Sequence, residues 1–141
     1  MDVKKIAAIA IGFLVTLILL GQDSAEEAKE RAARSAEAWL VLLDQGEYAE
    51  NWESSASLAK NAVGKDQWVE SMESARTMFG SLVNRTVKST EYARTLPGVP
   101  DGDYVIIQYQ TSFEKKNSAI ETVTLMLDSD GKWRVSGYFI N

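Results

Sequence analysis

The chain predicts an α+β fold: three amino-terminal helices packed on one face of a curved four-stranded antiparallel sheet, preceded by an apolar signal or anchor helix. Three observations carry this. Apolar residues recur every three to four positions through the first half of the chain, the period of an amphipathic helix. Through the second half they alternate, the period of a strand with one covered face. Two successive hairpins in that half place their apolar residues on the same side, which gives the helices a surface to cover.

At the amino terminus, Lys4 and Lys5 precede Ile6 to Leu20, fifteen residues in which Thr16 is the only polar one. A charged segment followed by an apolar one is the form of an export signal. Crossing about 30 Å of hydrocarbon takes roughly 20 residues, although a thin bilayer admits a shorter helix. Residues 1–24 are read as a cleaved signal peptide or an uncleaved membrane anchor, with a buried core helix as the third reading. Residues 25–141 are read as one α+β domain. Signal and anchor alike put that domain outside the cytoplasm, periplasmic or tethered to the inner membrane, because Lys4 and Lys5 stay inside. Gln22 stands where a lipoprotein carries its acylated cysteine.

From Ser24 to Leu43 the stripe Ala28, Ala32, Ala36, Trp39, Leu40 and Leu43 predicts the first helix. Glu27 with Arg31, and Glu30 with Arg34, form acidic-then-basic pairs at i,i+4 on its outer face. Gly46 ends it. A second, shorter helix starts near Glu47 with Tyr48 and Trp52 inward, and continues through Ala56 to Val63 until Gly64 interrupts it. Asp66 is positioned to cap the third, whose stripe is Trp68, Met72, Ala75, Phe79 and Leu82.

Strands are predicted over Val83–Tyr92, Tyr104–Phe113, Ile120–Leu127 and Trp133–Ile140. The first hairpin loop holds Pro97 and Pro100, and Asp128-Ser129-Asp130-Gly131 makes a tight turn. Pairing Leu127 with Trp133 sets Val123 against Gly137 and Glu121 against Phe139. Pairing Phe113 with Ala119 sets Thr111 against Glu121. Val105, Ile107, Tyr109, Phe113, Val123, Leu125, Leu127, Trp133, Val135 and Phe139 then share the covered face, and Tyr138 falls on the other. Gly137 is expected on the covered face, where its missing side chain leaves room for a helical Trp or for sheet curvature.

Composition closes several routes to function. With 141 residues the chain makes one domain. It has no cysteine and no histidine, which excludes Cys/His zinc sites, Cys–His and Ser–His nucleophile pairs, c-type haem and disulfides. A net charge of -5 repels nucleic acid. No cofactor or metal is expected: Asp128-x-Asp130-Gly131 and Asp101-x-Asp103 lack the twelve-position loop of an EF-hand and read as turn chemistry.

Several motifs together resemble a known family. They are Ala38-Trp39-Leu40; Asp44-x-Gly46-x-Tyr48-x-x-x-Trp52; Pro100-Asp101-Gly102-x-Tyr104; Glu121-Thr122-Val123-Thr124-Leu125; and Gly131-x-Trp133-Arg134-Val135-x-Gly137-Tyr138-Phe139-Ile140. As a set they resemble the bacterial domain-of-unknown-function family numbered 4019, small exported or membrane-tethered proteins with no assigned activity. The order of elements is also similar to the cystatin-like cone shared with nuclear transport factor 2. That likeness implies a pocket between helices and sheet, but the family assigns no catalytic residue.

Tyr48, Trp52, Trp68, Tyr109, Glu121 and Trp133 are the candidate pocket residues, with core filling as the alternative for the aromatic ones. Glu121 is the candidate acid or base, because strand parity puts it on the apolar face. Arg85, on the same face, reaches it diagonally across the second strand. A structural ion pair is the competing reading. The function expected is that of an exported, non-catalytic binding or interaction module whose partner is an envelope protein or a small apolar ligand. The alternative is a cofactor-free isomerase or lyase using Glu121 near Tyr48 or Tyr109. The architecture admits a homodimer through the sheet's outer face, and membrane contact only through residues 6–21 of an uncleaved chain.

Overall fold

A computed structural model describes the backbone from Val3 to Asn141 and the side chains from Ser24 onward. The element order is α1 (Val3–Asp44), α2 (Tyr48–Glu53), α3 (Ser57–Ala62), α4 (Lys65–Phe79), β1 (Leu82–Ala93), β2 (Tyr104–Phe113), β3 (Lys116–Leu127) and β4 (Trp133–Ile140). Four helices replace the expected three. The stretch read as a continuation of the second helix is separated from it because Ala56 is extended (φ -63°, ψ 151°). Its N–H leaves the helical ladder to donate to Val135 O of β4 at 2.8 Å. A backbone donor that finds a strand carbonyl cannot also close a helical turn.

The predicted stripe of α1 is the helical half of the core. Ala32, Ala36, Trp39, Leu40 and Leu43 pack on Val105, Ile107, Tyr109, Val123, Leu125, Trp133 and Val135. Alanine at positions 32 and 36 lets the helix approach the sheet closely. Gly46, at φ 76°, turns the chain in the left-handed conformation, and Glu47 N–H returns to Leu42 O at 2.9 Å, which satisfies a terminal carbonyl. On α4, Trp68 and Met72 pack against the same core, and Phe79 stacks on Phe113 with ring centroids 5.6 Å apart.

The strands pair antiparallel in the order β1-β2-β3-β4. β1 and β4 are therefore free edges, and the sheet is open rather than wound into the expected curved cone. Closure would need β4 to pair with β1, and consecutive hairpins carry those two strands to opposite ends. The second expectation overturned is the transmembrane anchor. Among the described residues no helix is long and apolar enough to cross a membrane. The apolar run Ile6–Leu20 has fifteen residues, below the roughly 20 that a span requires. The side chains of 6–21 themselves lie outside the described residues.

Register separates what parity predicts from what bulges change. In the middle hairpin, Thr111 pairs with Ala119 and Tyr109 with Glu121, two residues from the expected match. A two-residue slip returns every side chain to its own face, so Val105, Ile107, Phe113, Val123 and Leu125 remain buried as predicted. The last hairpin differs in kind. Leu125 pairs with Val135 but Thr124 with Gly137, so Ser136 is an extra residue in β4. Such a bulge reverses the faces beyond it. Tyr138 turns inward against Trp39 and Trp68, while Phe139 turns outward and is 59% exposed. Gly137 correspondingly faces Thr124, whose Cβ would lie 3.6 Å from an added Cβ, and not a helical Trp.

Urea unfolding tests this assignment of faces. Leu125→Ala, in the buried core, is expected to cost about 2–5 kcal/mol. Phe139→Ser, outward because of the bulge, is expected to change stability by no more than about 0.5 kcal/mol; a cost like that of Leu125→Ala would restore Phe139 to the covered face.

Candidate functional site

Glu121 sits on β3 with 0% of its surface exposed. Arg85 of β1 pairs with Thr111 of β2, and that register points its guanidinium across β2 at the Glu121 carboxylate. Arg85 Nε donates to Glu121 Oε1 at 2.7 Å and Nη2 to Oε2 at 3.2 Å. Thr111 Oγ1 donates to Oε1 at 2.5 Å, and the Tyr138 hydroxyl donates to Oε2. A carboxylate offers about four lone-pair sites, and four donors occupy them.

Arg85 is shared with a second acid. Its Nη1 and Nη2 donate to the two oxygens of Asp44, the last residue of α1, at 2.7 and 2.9 Å. Arg76 of α4 adds a bond from Nη2 to Asp44 Oδ1 at 2.6 Å and lies 4.8 Å from the centre of the Phe113 ring. Two carboxylates and two guanidinium groups thus form a neutral network across α1, α4, β1 and β3. Burial pushes the Asp44 carboxyl up, but the bonds from Arg85 and Arg76 outweigh it and hold the group below its ordinary 3.8. Burial lowers Arg85, and its bonds to Asp44 and Glu121 more than reverse this, so it stays protonated. Tyr138 is raised above its ordinary 10.0 by burial first and then by the Glu121 charge.

In this arrangement the Glu121 carboxylate accepts internal hydrogen bonds from Arg85, Thr111 and Tyr138. A general base must reach the proton it removes. Glu121 has no exposed surface and lines neither the groove beside α1, nor the cleft at Tyr48, nor the cavity at Trp52 and Trp68. The tyrosine that approaches it is Tyr138, which strand parity placed on the other face; the β4 bulge, which alternation does not show, turns it inward. Tyr109 is buried in the core, its phenol pushed up to about 12 by burial and then by the charge of Glu37. Tyr48 is half-buried and lines a polar cleft with Asp44 and Arg76.

Two of the predicted pocket residues do meet. Trp52 and Trp68 line a cavity of about 200 Å³ with Trp39, Val63, Gly137 and Tyr138. The β4 bulge forms one wall and the α2–α4 helices the other. Each indole N–H around it is already bonded inside the protein: Trp39 to Ser55 Oγ at 2.9 Å, Trp52 to Val63 O at 2.8 Å, and Trp68 to Asn51 Oδ1 at 2.9 Å. Asn51 completes the frame by donating to Trp39 O at 2.9 Å. The cavity therefore presents ring faces and no free indole donor. Trp133 lies elsewhere, in the wall of a larger groove beside α1. The acids of the calcium-like turn are taken by Arg134, at 2.8 Å from both Asp128 and Asp130, and that contact holds the Asp130 carboxyl down at about 2.

Removing Arg85 should be costly. Arg85→Met leaves Glu121 buried without its cation and is expected to lose about 3–5 kcal/mol, measured by chemical denaturation; a loss below about 1 kcal/mol would show that the network is dispensable. The depressed Asp44 value also sets a pH dependence. Its stabilising contribution is complete above 3.8 and is lost as pH falls through its lower folded value. Asp44→Asn is expected to flatten the acid limb of a pH–stability curve below 3.8, and an unchanged limb would refute it.

The chain matches the family model "Protein of unknown function (DUF4019)" over residues 35–138. No curated protein matches it. Among solved structures it is similar to a "putative ketosteroid isomerase" from Shewanella frigidimarina, at TM-score 0.54 and 17% identity, covering 81% of this chain and 97% of that one. It is also similar to the protein Aln2 from a Streptomyces species, at TM-score 0.53 and 10% identity, covering 82% and 90%. A protein from Catenulispora acidiphila matches at TM-score 0.53 and 9% identity, covering 79% and 88%. At these identities the likeness is one of fold, in keeping with the expected resemblance to cystatin-like and nuclear transport factor 2-like proteins. The family match takes in the Trp39–Trp52 helices, the Arg85–Glu121 strands and the bulged β4, and on it the chain belongs to the family of proteins of unknown function DUF4019.

Proposed function

We propose that this protein is a non-catalytic binding module of the bacterial cell envelope, exported by its amino-terminal signal, that takes a small apolar ligand between its aromatic helices and β4. The observation that carries this reading is the cavity of about 200 Å³ walled by Trp39, Trp52, Trp68 and Tyr138, with every indole N–H of that wall satisfied internally. An apolar cavity of about 150 Å³ holds one benzene, so a single ring or a short branched chain is the size it suits. Polar ligands would lose their hydration there without compensation. The isomerase or lyase alternative depends on Glu121, whose acceptor sites are all occupied away from solvent.

Benzene serves as the probe. Its titration, followed by amide and indole NMR, is expected to move the Trp52 and Trp68 indole N–H and the Gly137 amide, and to raise the unfolding midpoint by mass action. Ala59→Trp and Ala62→Phe, which fill the cavity from α3, should abolish those shifts in folded protein. Shifts that persist in both variants, or that never arise, would overturn the reading.

A further inference from the structure

A second space lies elsewhere, in a groove of about 610 Å³ between α1 and the β3–β4 hairpin. We propose that this groove binds a small organic oxyanion, a phosphate or carboxylate carried on an apolar body. Arg31 and Arg34 enter it from one flank of α1, and Lys132 from the hairpin opposite. Sequence spacing pairs Arg31 with Glu27 and Arg34 with Glu30, but among the described residues neither pair forms. Arg31 instead crosses to the hairpin, where Nη2 donates to Gly131 O at 2.8 Å, a bond that leaves its charge unneutralised. Arg134, also in the wall, is bound by Asp128 and Asp130, two carboxylates to its one positive charge. The one carboxylate in the lining, Glu53, is bound by Lys65 at 2.8 Å. Arg31, Arg34 and Lys132 form no ion pair among the described residues; Asp130 lies within Coulombic reach of Lys132, so the unbalanced positive charge of the groove rests on Arg31 and Arg34, on a chain of net charge -5.

A cluster of that sign on an acidic surface concentrates anions locally, and planar guanidinium groups match the oxygens of phosphate and carboxylate. The floor is apolar, formed by Trp39, Leu42 and Val135, which a bare inorganic ion would not cover. Trp133, in the same wall, is 6% exposed, and its indole N–H has no partner among the described residues. The protein's overall negative charge disfavours a polyanionic chain and leaves a small molecule as the occupant. This inference does not depend on the aromatic cavity, which lies on the other side of Trp39 and Val135.

The test is NMR titration of the full chain with phenyl phosphate, beside inorganic phosphate and benzyl alcohol. Phenyl phosphate is expected to bind at about 1 mM or tighter and to shift the Trp39 and Trp133 indoles and the amides of 131–135. Arg34→Ala and Lys132→Ala should each weaken it about tenfold, whereas Lys88→Ala, the same charge change on the opposite sheet edge, should have less than about a twofold effect. Both groove positions are exposed, and their folding is verified by unchanged unfolding midpoints. Ala59→Trp should leave the titration unaltered; if it abolishes binding, the ring is entering the aromatic cavity and the groove assignment falls. Equal weakening by Lys88→Ala, absence of binding, or inorganic phosphate binding as tightly as phenyl phosphate would each overturn the proposal, as would benzyl alcohol producing the same shifts.

Discussion

Burying the carboxylate of Glu121 is the constraint on which the rest of this structure depends. A charge with no access to solvent must be met by charge and by hydrogen bonds on every side. The four donors come from β1, β2 and β4, and Arg85 passes the demand on to Asp44 at the end of α1 and through it to Arg76 of α4. The network therefore specifies the placement of two helices against three strands around β3. An apolar core of the same volume would tolerate sliding between layers; this one penalises any shift that separates Arg85 from either acid.

The same network explains why the ligand-sized spaces lie where they do. The covered sheet face is filled by Val105, Ile107, Val123 and Leu125 packed under Trp39, Leu40 and Leu43, and by the ions and their partners beside Thr111 and Phe113. Among the described residues, two ligand-sized spaces lie at the margins, beside the β4 bulge and along the polar flank of α1. Trp39 and Val135 line both spaces, so one helix position and one strand position form the partition between an apolar cavity and a cationic groove. Tyr138 has a comparable double role, since its ring walls the cavity while its hydroxyl closes the shell around Glu121.

The β4 bulge is the local event with the widest consequence. Without Ser136 as an extra residue, Phe139 would occupy the inner face and Tyr138 the outer, and Glu121 would face a ring that donates nothing. With it, a phenol reaches the carboxylate and the aromatic cavity acquires its wall. Free edges at β1 and β4 make such an irregularity tolerable, because an edge strand has a partner ladder on one side only.

Much of this was legible in the residues alone. Period and alternation determined the helical and extended halves, because burial against one layer demands apolar side chains at 3.6 and at 2. Parity determined that Glu121 and Arg85 share the covered face, and a two-residue error in register left that conclusion intact. The tertiary structure alone decided the rest. A bulge is one extra residue with no compositional mark, so the exchange of Tyr138 for Phe139 could not be read from alternation. Ala56 leaves its helix for a carbonyl of β4, a competitor that no helical pattern contains. Arg31 leaves Glu27 for the carbonyl of Gly131, one hundred residues along the chain, because an i,i+4 pair in water is worth only a few tenths of a kcal/mol and a neighbour brought close by folding outcompetes it.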